Sequence, residues 1–262
     1  MIISFMGKGG TGKTSISVAY SLYLKEQGKD VALLSIDDQP TISYFGKNFP
    51  FSIYEYSYEK CAMEWKEKYG KDVYNIISSI FDVDESIIDH ISYAPGIADE
   101  FIFSKILDIE KYHDIIVMDT AAMSSTFHLL RLQSEFYDHL NRDVKYIISI
   151  MDKLKIKDRK ILDIIEEWKK LSRDVWKKIR ESSIYLVTTD EDIPYQYTKN
   201  LEKQISRFEI YIRGTIINRY RGNYNGILQI PEFRENVLEN IYEYFLSLNL
   251  KKGEMGKNIL LL

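Results

Sequence analysis

The chain contains very little cysteine and proline: one cysteine, Cys61, and five prolines in 262 residues. A single cysteine excludes an intrachain disulfide, and without a C-x-x-C pair the chain offers no thiolate pair to a metal ion. We expect Cys61 to be packed on a helix face. The sequence also lacks repeats, low-complexity tracts and Pro/Gly-rich linkers, so it is predicted to form one domain over residues 1–262.

Long apolar runs are absent too. No run approaches the roughly 18 apolar residues that a membrane-spanning helix needs. The first residues lack the basic, apolar and small-residue pattern of a secretion signal. These observations predict a cytoplasmic location and leave peripheral association with a membrane open.

The net charge is only −4, but it is unevenly distributed. Residues 153–180 contain eleven Lys or Arg against five Asp or Glu, so the rest of the chain is net acidic. Acidic residues interleave these basic ones, which favours a solvated helix face. Anionic lipid headgroups and nucleic acid are the alternative partners of such a segment.

What the sequence does contain is a glycine-rich loop, GKGGTGKTS, between an apolar run and a helical pattern. Glycines let the backbone coil so that successive N–H groups surround a polyphosphate. Within the loop, Lys13 is expected to reach the β and γ phosphates of ATP, and Thr14 to bind Mg²⁺ directly. The predicted nucleotide-binding residues of the loop are Gly7, Lys8, Gly9, Gly10, Thr11, Gly12, Lys13, Thr14 and Ser15.

Apolar runs separated mostly by helical patterns predict an α/β fold with a doubly wound, mostly parallel sheet, the P-loop NTPase class. The predicted strands lie near residues 1–6, 31–36, 51–56, 114–118, 183–188 and 212–217, with a short one at 227–229. Residues 58–112 and 133–182 form intervals too long for simple crossovers, and they are predicted to be a helical elaboration apart from the sheet. Within them Val144 to Leu154 favours a helix over a strand.

Two aspartates follow predicted strands, at the edge where open α/β sheets bind ligands. Asp37 is predicted to be catalytic, because a carboxylate there can orient the attacking water. Asp119 is predicted to hold the outer shell of the Mg²⁺ ion. Either residue alone could instead be a turn former.

Several segments resemble, in the same order, those of the arsenite-pump and tail-anchored-protein-targeting ATPases, which belong to the deviant Walker A class. The loop itself has the K-G-G-x-G-K-T pattern of that class. The other matching segments are SIDDQPTISYFG, PGIADEFIFSKIL, DTAAMSSTFHLLRL, VTTDEDIPYQYTKNLEKQI, TIINR and ILQIPEFRENVLENI.

The resemblance implies roles for individual residues. Lys8 would cross a homodimer interface to the nucleotide of the other subunit, and would act in catalysis with Lys13 and Asp37; the alternative for Lys8 is a solvated loop lysine. Asn218 would hold adenine, since its amide can both donate and accept along the base edge; the alternative is a turn residue that ends a strand. Pro231 would lie beside the base.

Two switch segments are also implied by the resemblance. Ser35-Ile36-Asp37 resembles switch I, and Asp119-Thr120-Ala121 resembles switch II with a following helix that carries His128 and Arg131. The chain departs from the family pattern in both. Asp38-Gln39-Pro40 replaces Pro-Ala-His, and Ala122 replaces a proline.

The cysteine-dependent features of the family are not expected here. Only eight residues separate Asn218 from Ile227, where targeting ATPases carry a helical stretch with the C-x-x-C that shares zinc across the dimer. A zinc-clamped dimer is therefore not expected. Arsenite-pump ATPases bind metalloid through several cysteines, and Cys61 alone cannot supply such a site.

An apolar stripe in the second helical interval predicts an amphipathic helix. Two hypotheses remain open for it: the stripe packs on the ATPase core, or it lines a groove for an apolar client helix, as the resemblance implies. Its members are Ile161, Ile164, Ile165, Trp168, Leu171, Val175 and Ile179.

The sequence thus predicts a homodimeric, Mg²⁺-dependent ATPase whose ATP-bound closure controls a partner. The first hypothesis for the partner is a hydrophobic segment of a client membrane protein. The alternative is a positioning or partition ATPase that acts on membrane or nucleic acid. A pump subunit that energises anion export is a third hypothesis, disfavoured by the lack of thiols.

Overall fold

A computed structural model of the chain describes residues 1–36, 42–46, 48–78, 81–93, 97–120 and 159–255. Seven strands form one sheet in the order β3-β2-β4-β1-β5-β6-β7, and all six neighbouring pairs are parallel. This confirms the predicted α/β class. The strands are β1 Ile2–Gly7, β2 Val31–Ile36, β3 Ser52–Tyr56, β4 Ile115–Thr120, β5 Ser183–Thr189, β6 Ile212–Tyr220 and β7 Leu228–Pro231.

The helices of the described residues are α1 Lys13–Glu26, α2 Tyr58–Ser78, α3 Ile87–Ser92, α4 Ile97–Ile109, α5 Arg159–Glu181, α6 Asp192–Ile205 and α7 Val237–Met255. Chain contacts divide these residues into two compact units. The sheet unit comprises residues 1–56, 109–120 and 180–255; the helical unit comprises residues 57–108 and 159–179.

The sheet is buried on both faces, because successive side chains alternate between faces and both sets are apolar. On one face Phe5, Leu33 and Val117 join a single hydrophobic cluster with α1 and α7. On the other face Met6 and Leu34 are equally buried. The continuous apolar runs of the sequence are explained by this double burial.

Helix α1 is enclosed within the sheet unit rather than amphipathic. Residues on all of its sides are buried, which is the pattern of a central core helix. Its Tyr20 ring meets Phe5 of β1 edge-on with centroids 5.5 Å apart, and Phe245 of α7 at 5.7 Å. Aromatic contacts therefore connect the sheet to α1 and α1 to α7.

The helical unit has a core of its own along α2. Cys61, Trp65, Tyr69 and Val73 recur every fourth residue and are buried, so they form one face of the helix. Tyr69 meets the Phe101 ring of α4 at 6.4 Å. The prediction that Cys61 is packed on a helix face is confirmed, and burial raises the pKa of its thiol to about 12.

Helix α5 is present where the sequence predicts an amphipathic helix. In its described part, Ser172, Val175 and Ile179 are buried, whereas Arg173 and Lys177 are exposed. The described end of the apolar stripe is thus buried, and both hypotheses for the stripe stay predictions. The side chains of Ile161, Ile164, Ile165 and Trp168 lie outside the described residues. No helix in the described ranges is both long and apolar enough to cross a bilayer.

Phe245 tests the packing of α7 on α1. Phe245→Ala should lower the free energy of unfolding by about 3–5 kcal/mol, because it opens a cavity against Tyr20 and Tyr23. Val237→Ala is the control on the same helix, since Val237 is 38% exposed and should cost under about 0.5 kcal/mol. Urea denaturation of both variants gives the comparison. Equal losses in the two variants would contradict the tighter packing of Phe245 against α1.

Candidate nucleotide-binding site

The glycine-rich loop forms a tight turn between β1 and α1. Gly10 and Gly12 have φ values of +81° and +89°, a left-handed region that favours glycine. Gly12 caps α1, and the amide N of Ile16 donates to its carbonyl at 3.0 Å. The loop therefore leads straight into a helix N-terminus, where backbone N–H groups and the helix dipole favour an anion.

Two glycines of the loop are required by close contacts. A Cβ on Gly7 would lie 2.1 Å from the carbonyl oxygen of Val187, on the neighbouring strand β5. A Cβ on Gly12 would lie 2.3 Å from the side-chain nitrogen of Asn218. The backbone contact excludes a side chain at Gly7, and at Gly12 the φ of +89° adds strain to the contact with Asn218, so the shape of the loop favours glycine at both positions. Such a turn fits the polyphosphate of a nucleotide.

The carbonyl oxygen of Lys8 is the hydrogen-bonding centre of the loop. It accepts bonds from Thr11 Oγ1 at 2.9 Å, from Lys13 Nζ at 3.3 Å and from the Thr11 amide at 3.4 Å. Lys13 is only 7% exposed, whereas Lys8 is exposed. The two lysines of one loop thus lie in different surroundings.

Asp119 lies inside β4, so the prediction that it follows the strand is wrong. The strand continues to Thr120, and Asp119 pairs with Phe5 of β1 and Ser35 of β2. Pairing on both sides extends the strand past its apolar run, and Asp119 is only 4% exposed. A carboxylate here and the Thr14 hydroxyl in the first turn of α1 are oxygen donors of the kind Mg²⁺ prefers.

Asn218 contacts the loop directly. Its Nδ2 donates to the Thr11 carbonyl oxygen at 2.9 Å, and its Oδ1 accepts from the Arg219 amide at 3.0 Å. It does not end a strand: β6 continues to Tyr220 through Arg219, whose φ of +53° accompanies an irregular register against β7. Its contact with adenine stays a prediction.

The structure describes some of the remaining predicted residues and not others. Pro231 ends β7 opposite Tyr220, and its place beside a base also stays a prediction. Gly9 is exposed and Ser15 lies in the first turn of α1. Outside the described residues lie Asp37, Asp38, Gln39, Pro40, Ala121, Ala122, His128, Arg131, the segment Val144 to Leu154 and the basic residues before Arg159.

Asp190, at the end of β5, is a residue that sequence reasoning missed. Its carboxylate accepts bonds from the backbone amides of Arg221 at 2.7 Å, Tyr224 at 2.8 Å and Asn223 at 3.0 Å. Burial raises its pKa, but these backbone bonds outweigh burial and hold the pKa below its ordinary value. A sequence signal exists, because Asp190 follows a buried strand just as Asp37 does.

Further contacts hold the segment after β6 in place. Arg221 and Glu232 form two hydrogen bonds at 2.8 and 3.0 Å, a bidentate pair across the segment. Tyr224 stacks on Tyr195 of α6 with centroids 3.9 Å apart. The short link that follows Asn218 is thus fixed by polar and aromatic contacts.

No group of three or more His, Cys, Asp or Glu side chains in the described ranges could hold a metal ion. Cys61 is buried in the helical unit. Burial disfavours the thiolate form that soft metals and metalloids require.

Comparison with known proteins identifies the family. A family model described as "Anion-transporting ATPase" matches residues 1–258. Because the match covers nearly the whole chain, the chain belongs to this family. It is an ATP-hydrolysing enzyme, and ATP is its substrate.

Individual relatives cover the chain to different extents. "Putative arsenical pump-driving ATPase 2" of Aquifex aeolicus (strain VF5) is 27% identical over 241 residues, which cover 83% of this chain and 79% of the relative. "Putative arsenical pump-driving ATPase 1" of the same organism is 30% identical over 45% of this chain and 34% of its own length. "ATPase ASNA1 homolog" of Plasmodium yoelii yoelii is 31% identical over 57% of this chain and 40% of its own length. The chain thus spans less than half of the second and third relatives.

Gly12→Ala tests the shape of the loop. We expect it to abolish ATP binding, measured by titration with a fluorescent ATP analogue, because the new Cβ would displace Asn218 and strain a φ of +89°. Gly28→Ala is the matched control: Gly28 has a φ of +74°, and a methyl group there would have no atom within 4 Å, so the variant should be strained but bind ATP. Retained binding in Gly12→Ala would contradict the contact with Asn218.

Asp190→Asn tests the carboxylate that holds the segment after β6. At neutral pH it should lower the free energy of unfolding by about 1–3 kcal/mol, because the substitution replaces one accepting oxygen by an NH2 group and removes the charge that strengthens the remaining bonds. The pKa of Asp190 is depressed in the fold, so its contribution is present above its ordinary pKa of 3.8 and is lost as the pH falls through the folded value. The difference between wild type and variant should therefore shrink on acidification.

Denaturation by urea at several pH values measures this difference. Asp114→Asn, at an exposed aspartate just before β4, is the control and should change stability by under about 0.5 kcal/mol. A loss in Asp190→Asn that is the same at neutral pH and well below pH 3.8 would contradict the role of the ionised carboxylate.

Proposed function

We propose that this member of the anion-transporting ATPase family is a Mg²⁺-dependent ATPase of the deviant Walker A class that works as a homodimer. It is one ATPase domain with a helical elaboration. ATP closes the dimer, closure shapes a partner-binding surface on the helical unit, and hydrolysis releases the partner. The partner is a hydrophobic segment of a client membrane protein.

The proposal of a dimer rests on the different exposure of the Lys13 and Lys8 side chains. Lys13 is buried against its own loop, where it serves the nucleotide of its own subunit. Lys8 is exposed at the rim of the same loop, and there it can reach a nucleotide bound by a second subunit. A positive charge that arrives only on closure would stabilise transition-state charge, as an arginine finger does, by roughly 10³–10⁵ in rate in the best cases.

The other catalytic roles follow from the chemistry of phosphoryl transfer. Thr14 would hold Mg²⁺ directly and Asp119 its outer shell; when bound, the ion neutralises charge on the β and γ phosphates. Asp37 would orient the attacking water through its carboxylate. Asn218 would hold the adenine, and Pro231 would lie beside it.

Exposed apolar side chains of the helical unit support an apolar client. Met63 of α2 is 52% exposed, Phe81 is 61% exposed, and Tyr93 after α3 is 56% exposed. These exposed apolar side chains of one unit are available for contact with an apolar partner, and methionine adapts to varied sequences. The similarity to ATPase ASNA1 homologues agrees with this choice.

The basic residues of α5 favour a second candidate. Lys170, Arg173 and Lys177 are exposed on this helix and could meet an anionic membrane or nucleic acid in a positioning ATPase. Glu166 pairs with Lys169 at 3.2 Å and reduces that field. An anion-pump role is weaker, because a buried thiol does not supply a metalloid site.

The test of the dimer uses Asp37→Asn, which should bind ATP without hydrolysing it. With ATP and Mg²⁺ its mass by light scattering should double. Lys8→Ala should bind ATP normally and hydrolyse it at least roughly 100-fold more slowly. Lys29→Ala, at an exposed lysine beyond the other end of α1, should hydrolyse ATP at the wild-type rate. The proposed dimer would be contradicted if Asp37→Asn stayed monomeric with ATP, or if Lys8→Ala hydrolysed ATP at the wild-type rate.

The test of the partner offers three probes to Asp37→Asn with ATP. We expect retention of a soluble fusion that carries one segment of about 20 residues of leucine and alanine, and no retention when four of its leucines are aspartate. If anionic vesicles or duplex DNA retained the protein instead, and this binding weakened steeply with salt, the result would contradict the client-protein hypothesis and favour a positioning ATPase.

A further inference from the structure

We propose that the Thr11 hydroxyl is a positioning residue for Lys8, and that Asn218 holds Thr11 in place to do so. The inference rests on the proposed function, in which Lys8 acts on the nucleotide of the other subunit. It assigns a role to a residue that the loop pattern leaves variable. It also connects strand β6 to the lysine at the rim of the loop.

The first contact in this link is between Thr11 and the Lys8 peptide. Thr11 is only 2% exposed, and its Oγ1 donates to the Lys8 carbonyl oxygen at 2.9 Å. The Thr11 amide approaches the same oxygen at 3.4 Å, the long end of the hydrogen-bond range. The hydroxyl is thus the stronger constraint on the Lys8 peptide plane.

The second contact is between Asn218 and Thr11. Asn218 Nδ2 donates to the Thr11 carbonyl oxygen at 2.9 Å, and both residues are buried. Thr11 therefore donates through its side chain to Lys8 and accepts through its backbone from β6. The order Asn218, Thr11, Lys8 is a continuous hydrogen-bonded link between the sheet and the exposed lysine.

The link matters because Lys8 itself is exposed. Solvent does not fix the conformation of an exposed lysine side chain. The direction in which the Lys8 side chain leaves the loop is therefore set by the Lys8 backbone. Fixing that peptide in advance limits the loss of freedom when the lysine engages the second nucleotide. Lys13 Nζ also binds the Lys8 carbonyl at 3.3 Å, so the same oxygen lies beside the lysine that serves the subunit's own phosphates.

Thr11→Val and Thr11→Ser separate the hydroxyl from the shape of the side chain. Valine keeps the branched form and removes the donor, whereas serine keeps the donor. We expect Thr11→Val to lower kcat roughly tenfold, the loss of about one hydrogen bond, with the KM for ATP changed by less than about threefold. Thr11→Ser should retain most of kcat. Thermal melts check that all variants are folded.

The same substitution in the Lys8→Ala background shows whether Thr11 acts through Lys8. If it does, Thr11→Val adds no further loss there. Three results would overturn the inference: an equal tenfold loss in that background, equal kcat values for Thr11→Val and wild type, or equal losses in Thr11→Val and Thr11→Ser. The proposed function fails separately, when Lys8→Ala alone hydrolyses ATP at the wild-type rate.

Discussion

The approach of the Asn218 amide to the backbone at Gly12 is the contact on which the rest of the site depends. A side chain at Gly12 would occupy the position of Asn218 Nδ2, since a Cβ there would lie 2.3 Å from it. With glycine, the amide binds the Thr11 carbonyl, and Thr11 in turn binds the Lys8 carbonyl. A loop that would otherwise be free to adopt many conformations is therefore fixed by a strand more than 200 residues away.

The order of the strands places this contact in the middle of the sheet's carboxyl edge. Strand β1 lies between β4 and β5, so the loop that follows it has Asp119 on one side and Thr189 and Asp190 on the other. In a parallel sheet, all carboxyl ends meet at one edge, where ligands bind at the point of reversal. The ends of β4, β5 and β6 are thus brought to the edge of the sheet where the loop lies, although these strands are far apart in sequence.

The sequence is a good guide to the parts of this arrangement that depend on local chemistry. The runs at Ile2–Gly7 and Ile115–Thr120 indicate buried strands because both of their faces are apolar. The glycines of the loop indicate a phosphate cradle because of their spacing alone. Asp119 is recognisable as a metal-shell candidate but is predicted to follow its strand, since the apolar pattern does not show that hydrogen bonding to two neighbours extends the strand.

The contacts across the sheet cannot be predicted from one sequence. Nothing in the pattern near Thr11 indicates that Asn218 binds its carbonyl, because the register of β6 decides it. Asp190 escapes notice for a related reason: its role depends on three backbone amides of the segment between β6 and β7. From the sequence, the link after Asn218 is recognised only as shorter than the cysteine-bearing segment of the targeting ATPases that the chain resembles.

The structure shows which contacts hold this short link. Near the end of β6, Arg219 has a φ of +53°, which is unfavourable for a residue with a side chain. The brief segment that follows Tyr220 leads back to β7. Asp190 supplies a negative charge for its amides, and Arg221 and Glu232 join its two ends. Charge-assisted bonds of this kind are about twice as strong as neutral ones. The segment is consequently held by charged and backbone contacts that this chain makes with itself.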